Sequence, residues 1–300
     1  MVDPLPEAAA ALPFAALQRW KGLVGPAMSL AIVVAVLIQL RHIDWRLVRE
    51  AVPSSPVIWI VLAAGYFASP TGDWLIFRRL WHIPLSGFIP LVKKMIGNEI
   101  LIGYFGEAYF YDWARRNVTM AGSPFGAVKD VAILSALAGN ALTVAMLAAA
   151  WPLLGTVNLG ADGKLMLGSL GVVLLTSLFI MALRNRLLSL PRNDLIYAFS
   201  IHCARIMTGS ALLGLAWHLI LPTVGLGLWL LLATIRLLIS RLPLIPNKDL
   251  VFAGIAAMLV GRTTEVTAVL AMIATLTLAA HVVFGAVLVS FDFVRRRRQE

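Results

Sequence analysis

Long apolar runs decide what this chain can fold into. Seven segments, 22–40, 51–72, 131–152, 165–183, 195–221, 224–241 and 266–291, approach or exceed the roughly 20 residues needed to cross a bilayer's hydrocarbon core. Arg205 interrupts one of them and Arg236 and Arg241 another; the other five carry no Asp, Glu, Lys or Arg. Lipid offers no water to satisfy backbone N–H and C=O groups, so continuous apolar runs of this length must be helices, whereas barrel strands would be about half as long and would alternate. The expected fold is all-α: a polytopic membrane helix bundle of about seven spans plus two broken or re-entrant segments. Composition agrees, since 60% of the 300 residues are hydrophobic, 13% are charged and the mean hydropathy is +0.87. Those values lie outside the usual range of a water-soluble domain.

The formal net charge of +10 raises the question of nucleic acid, but its distribution answers for topology. Arg295 to Arg298 directly follow the last apolar run, and the other cations gather in short loops, as the positive-inside rule describes. No nucleic-acid partner is expected; the natural partners of these basic loops are anionic membrane lipids. With Arg295–Arg298 inside, Arg184, Arg186 and Arg192 also fall inside, and Arg19 and Lys21 place the N-terminus there too. Arg41, Arg46 and Arg49 break the rule, because that loop would lie outside. The expected organisation is a short cytoplasmic segment at 1–21, one transmembrane domain at 22–292 and a basic cytoplasmic tail at 293–300, in a bacterial inner membrane. The N-terminus opens with Asp3, Pro4 and Pro6 rather than a basic region, so the first apolar run reads as a retained helix. The single cysteine, Cys203, lies inside a span and reads as a packing residue.

Two segments do not fit a span. Residues 88–116 must enter and leave on the cytoplasmic side if Arg115, Arg116 and Lys129 are to stay inside, which makes the segment a re-entrant hairpin. Residues 242–262 begin with Pro243 and Pro246, then Asn247-Lys248-Asp249, before an apolar run of only 12 residues at 250–261. That run is too short to cross comfortably, so it reads as a half-span or part of a second broken hairpin. Broken segments at membrane depth are tolerated only where protein buries them or water lines a cavity, and one in each half of a chain points to a binding site between the halves.

The stretch KKMIGNEILIGYFGEAYFYDWARR, 93–116, concentrates charge in this apolar chain. Gly97, Gly103 and Gly106 permit close turns there, while Glu99 and Glu107 flank the presumed tip. A carboxylate at membrane depth costs on the order of 2.5–3.5 kcal/mol on insertion scales and therefore faces a partner or water. Its candidate partners are Lys93, Lys94, Arg205, Arg236 and Arg241. Arg205 lies about 15 Å into its span by helical rise, with His202 on the same face. Such pairs can hold a bundle in register, or they can form a cationic cavity for a lipid phosphate or carboxylate, to which a guanidinium is suited. Trp20, Trp45, Trp59, Trp81 and Trp151 read as interfacial anchors near span ends. Asp73, Asp112, Asp130 and Asp249 read as lying near cytoplasmic ends. Neither metal-ligand spacing nor a catalytic motif is found, so no cofactor, metal or enzymatic activity is expected.

GNEILIGYFGEAYFYDWARR, carrying Asn98, Gly106, Glu107 and Arg115, resembles a segment of the flippase-like transmembrane region of the lysylphosphatidylglycerol synthase family. RLPLIPNKDLVFAGI, with Pro243 and Pro246, is similar to that family's later Leu-Pro-x-x-Pro-Gly-Gly segment, although Asn247, Lys248 and Asp249 replace the glycines and the family's glutamate has no counterpart. The resemblance implies a stand-alone member, without the soluble synthase domain, that handles an anionic or a polyprenyl- or hopanoid-type lipid. The substrate-binding set expected from residues and resemblance together is Lys93, Lys94, Asn98, Glu99, Glu107, Arg115, Arg205, Arg236, Arg241 and Lys248. The expected function is lipid translocation through a polar intramembrane cavity open to the cytoplasmic leaflet. The alternatives are a non-transporting accessory subunit for a lipid-modifying enzyme and an intramembrane headgroup transferase.

Overall fold

The structure, a computed structural model, describes residues 53–100, 105–118, 124–154, 188–241, 248–259 and 264–297, with isolated positions between 172 and 179. The apolar run 22–40 and, apart from those isolated positions, 165–183 lie outside this set, as do 101–104 and 242–247. Among the described residues every regular element is helical.

Helix α1, Pro56–Trp81, starts with a proline at its first turn, where the missing N–H would have had no intrahelical partner. It ends at His82, which adopts the left-handed region with φ 52° and donates its N–H to the Arg78 carbonyl. A short 3-10 turn, Leu85–Gly87, leads into α2, Phe88–Ile100, and α3, Phe105–Asn117. The long helices α4, Pro124–Leu154, and α5, Arg192–Ile220, follow. The chain then forms α6, Leu226–Ser240, α7, Lys248–Leu259, and α8, Thr264–Arg297.

Four of these, α1, α4, α5 and α8, are long and apolar enough to cross a membrane. The expected run 224–241 shortens to the 15 residues of α6, about 22 Å at 1.5 Å per residue, which is less than the ~30 Å hydrocarbon core. The 13-residue helices α2 and α3 are shorter still, about 20 Å each. The expected span 51–72 moves the other way, because α1 continues past Asp73 to Trp81. That carboxylate does not end the helix because it is buried and paired within the bundle.

Helices α1 and α5 run antiparallel, as successive contacts show: Arg79 meets Asp194, Gly72 lies against the stem of Arg205, and Gly65 meets Leu212. The end of α1 bearing Arg78 and Arg79 packs with α3 and the start of α4 around Ile76, Phe77, Phe110 and Val131. Helix α2 leans on α8 through Val92, Ile96, Leu278 and Val282. The opposite end is filled by α6, α7 and α8 around Trp217, Trp229, Leu232, Phe252 and Leu270. Lipid tails are as apolar as these side chains, so close packing and polar contacts, rather than expulsion of water, hold such helices together. Trp81 is not an interfacial anchor: it is buried, with its ring centroid 4.9 Å from that of Phe77 and stacked on Phe110, because α3 covers it. Trp59 is exposed and donates its indole N–H to the Pro53 carbonyl.

At Gly214 on α5 a methyl group would meet no heavy atom within 4 Å. Gly214→Ala is expected to raise stability by about 0.5–1 kcal/mol, since alanine costs less to order in a helix. Thermal unfolding in detergent micelles reads this as a higher midpoint.

Candidate functional site

The hairpin of α2 and α3 is closed by its own polar groups. Asn98 on α2 accepts the Gly106 N–H at 2.8 Å and donates from Nδ2 to Glu107 Oε1 at 3.2 Å. This satisfies a backbone donor at the start of α3 that has no partner within that helix. Glu107 in the first turn also complements the positive helix end. Gly106 is required by closeness rather than by backbone angle, because a Cβ there would overlap the Lys94 carbonyl oxygen.

Lys94 carries this hairpin into the bundle. Its ammonium lies 2.6 Å from Asp73 Oδ2 on α1 and 3.3 Å from Glu107 Oε1. Asp73 also faces Arg205 of α5, with Nη1 at 3.7 Å. Arg205 in turn donates from Nε to His202 Nδ1 at 2.9 Å, from Nη2 to Ser135 Oγ at 2.7 Å, and from Nη1 to Ser69 Oγ. The group therefore joins α1, α2, α3, α4 and α5 through two cations and two carboxylates. All four charged side chains are largely buried, where an unpaired charge would be costly.

A second charged group links α6 and α7. Arg236 Nε meets Asp249 Oδ1 at 2.8 Å, and Lys248 donates to the Ser240 carbonyl at 2.8 Å. The Arg241 guanidinium bonds Ser240 Oγ through Nε at 3.0 Å and Nη2 at 2.7 Å, and lies against Gly139 of α4. Glu99, exposed on α2, shares a small cavity of about 20 Å³ with Lys248, Asp249, Thr277 and His281, room for about one water. Segments 88–116 and 242–262 thus meet at this small cavity, through Glu99 from the first and Lys248 and Asp249 from the second.

Between these groups lies a cavity of about 560 Å³. Its charged lining is Glu99, Arg205, Arg236, Arg241 and Asp249, with Ser69 and Ser135 beside Arg205. Leu62, Phe67, Leu212, Leu213 and Phe284 form much of the apolar wall, and Tyr66 adds a buried hydroxyl with no hydrogen-bond partner among the described residues. The cavity follows residues 59–69 of α1 and 205–213 of α5. Those are the N-terminal half of one helix and the C-terminal half of its antiparallel neighbour. The cavity extends away from the end of α1 bearing Arg78 and Arg79, which α3 and its aromatic contacts fill.

Of the expected residues, Lys94, Asn98 and Glu107 meet in the buried cluster with Arg205, and Glu99, Arg205, Arg236 and Arg241 line the large cavity. Lys248 lines the small one. Lys93 is buried on α2 but is not part of either lining. Arg115 stands apart, exposed on α3 with its guanidinium 5.9 Å from the Tyr111 ring centroid, because the last turn of α3 points beyond the cluster. Sequence reasoning missed Asp73, which is not at a span end but at the centre of the ion-pair group, and it gave no role to Ser69 or Ser135. Asp249 likewise lines the cavity. Asp130 accepts the Ser189 and Leu190 N–H groups at 2.5 and 2.7 Å and fixes the entry to α5.

Among the described residues no group of three or more His, Cys, Asp or Glu side chains is placed to hold a metal ion. Comparison of the chain with protein-family models, curated proteins and solved structures finds no match.

Proposed function

We propose that this chain is a membrane lipid translocator of the bacterial inner membrane, accommodating the anionic headgroup of an amphiphile in the 560 Å³ cavity. The observation that carries the reading is the pairing of apolar walls with a charged floor in the middle of α1 and α5. A purely structural ion-pair network needs no such space, and the volume falls within the ~300–1,000 Å³ of ordinary ligand sites. A headgroup and the first carbons of its chains fit there, while the remaining chain lies in lipid. The meeting of two broken segments at the floor supports the same reading, because such breaks are where transporters form their sites. The likeness of 98–115 to the flippase-like region of lysylphosphatidylglycerol synthases is consistent with it. With no nucleotide-binding pattern in the sequence, movement runs down a gradient or is coupled to an ion.

Reconstitution into liposomes with a fluorescent phospholipid tests this. The protein is expected to exchange lipid between leaflets at least about tenfold faster than Arg205→Ala or Glu107→Ala protein, the equivalent of about 1.4 kcal/mol at the barrier. Equal rates for all three, with the variants eluting as folded protein on size exclusion, would remove the proposal. A non-transporting accessory role is the second reading, favoured by the exposed Arg78, Arg79, Arg115 and Arg116 at the basic end. Co-purification of one stoichiometric partner without bound lipid would support it.

A further inference from the structure

Hydroxyl groups inside apolar helices can donate to the carbonyl four residues earlier, and several in this protein do so. Thr143, Thr234, Thr275 and Ser290 bond the carbonyls of Gly139, Leu230, Ala271 and Ala286 at 2.7–2.8 Å. Ser69 on α1 and Ser135 on α4 do not. Each uses its oxygen to accept from Arg205, and among the described residues neither donates its proton to anything. A hydroxyl has one donor and two acceptor positions, so both O–H groups remain free to donate, and both residues line the large cavity.

Arg205 is held for the same purpose. A guanidinium can only donate, so the 2.9 Å contact from its Nε makes His202 Nδ1 the acceptor. The proton of the neutral imidazole then sits on Nε2, 3.1 Å from the Val131 carbonyl. His202 is fully buried and acts as a positioning residue, fixing the plane of the guanidinium between the two serines. On the far side, Asp73 lies 2.6 Å from Lys94 and 3.7 Å from Arg205 Nη1, while Arg205 itself lines the cavity.

We propose that Ser69, Ser135 and Arg205 form an oxyanion cradle for the phosphodiester of the lipid headgroup. Each of the two non-bridging oxygens takes one hydroxyl proton, and the guanidinium lies between them. The charge of the cavity lining suits a monoanion: Arg205, Arg236 and Arg241 stand against Glu99 and Asp249. The inference rests on the lipid-handling reading and names the atoms that recognise the headgroup.

Binding to the purified full-length protein in detergent tests it, with dioctanoylphosphatidylglycerol as the anionic probe, dioctanoylglycerol as the neutral one and inorganic phosphate alone as a third. Ser69→Ala and Ser135→Ala are each expected to weaken the anionic lipid about tenfold, and the double variant by about a hundredfold, as expected for lost hydrogen bonds to a charged group. The neutral lipid should bind all variants equally, which also reports that the cavity is intact. Thr275→Ala, whose hydroxyl bonds Ala271 outside the cavity, should bind both lipids as the unaltered protein does. Unchanged anionic affinity in the double variant would overturn the proposal, and so would an equal fall for both lipids, because the serines would then serve packing alone. Serine-dependent binding of inorganic phosphate without binding of either lipid would uphold the cradle and overturn the lipid-handling reading.

Discussion

Lys94→Met is expected to destabilise the protein by about 3–5 kcal/mol, the range found when one member of a buried ion pair is removed. Methionine keeps most of the apolar stem and removes only the charge that lies between Asp73 and Glu107. Asp73 would be left with Arg205 at 3.7 Å, and Glu107 with Asn98 alone. Removing the charge of both partners in the closest pair is less costly than removing one, so Asp73→Asn combined with Lys94→Met should recover more than half of the loss. Denaturant or thermal unfolding in micelles reads both values. A single-variant loss below about 1 kcal/mol, the size of an exposed pair, would place the Lys94 ammonium in water.

Gly106→Ala is expected to have a comparable effect by a different route, with no change of charge. The added Cβ would overlap the Lys94 carbonyl oxygen and come within 2.7 Å of Asn98 Oδ1. A backbone carbonyl inside a helix cannot swing aside, so α2 and α3 must separate. Overpacking of this kind costs about 1–3 kcal/mol or more, and the Asn98 bonds that close the hairpin are lost with it. Leaflet exchange in liposomes should fall at least about tenfold, because Lys94 and Glu107 no longer meet. Gly139→Ala provides a contrast: there the clash is with the end of the Arg241 side chain, which can rotate away. Gly106→Ala that unfolds no earlier than Gly214→Ala would contradict the close approach of the two helices.

The parts of this fold legible in the sequence are those written in contiguous residues. Helices α1, α4, α5 and α8 follow from apolar runs, and the glycines and charges of 88–116 mark it as no ordinary span, in line with the two short helices α2 and α3 found there. What crosses between distant segments was less visible. Asp73 reads as a span end until its partner, Lys94, is placed beside it; the Trp74-Leu75-Ile76-Phe77 run just after it was the available signal that the helix continues. The same reading misplaced Trp81, since α3 covers a residue that hydropathy sets at the interface. Arg115 belongs to the motif in sequence but lies beyond the cluster, because it is in the last turn of α3 and Glu107 in the first, about 12 Å apart along the helix. Ser69 and Ser135 gave no signal, as a lone serine in an apolar helix ordinarily satisfies itself.

The account turns on whether a lipid headgroup enters the interior of the bundle. A phospholipid carrying a photoreactive diazirine in its headgroup, crosslinked to the reconstituted protein and mapped by peptide mass spectrometry, measures this directly. Labels are expected on α1 near residues 66–69 and on α5 near 205–209, and they should be lost in Arg205→Ala protein. Labels confined to the exposed basic end, at Arg78, Arg79, Arg115 and Arg116, would show the headgroup remaining at the membrane surface and contradict the account.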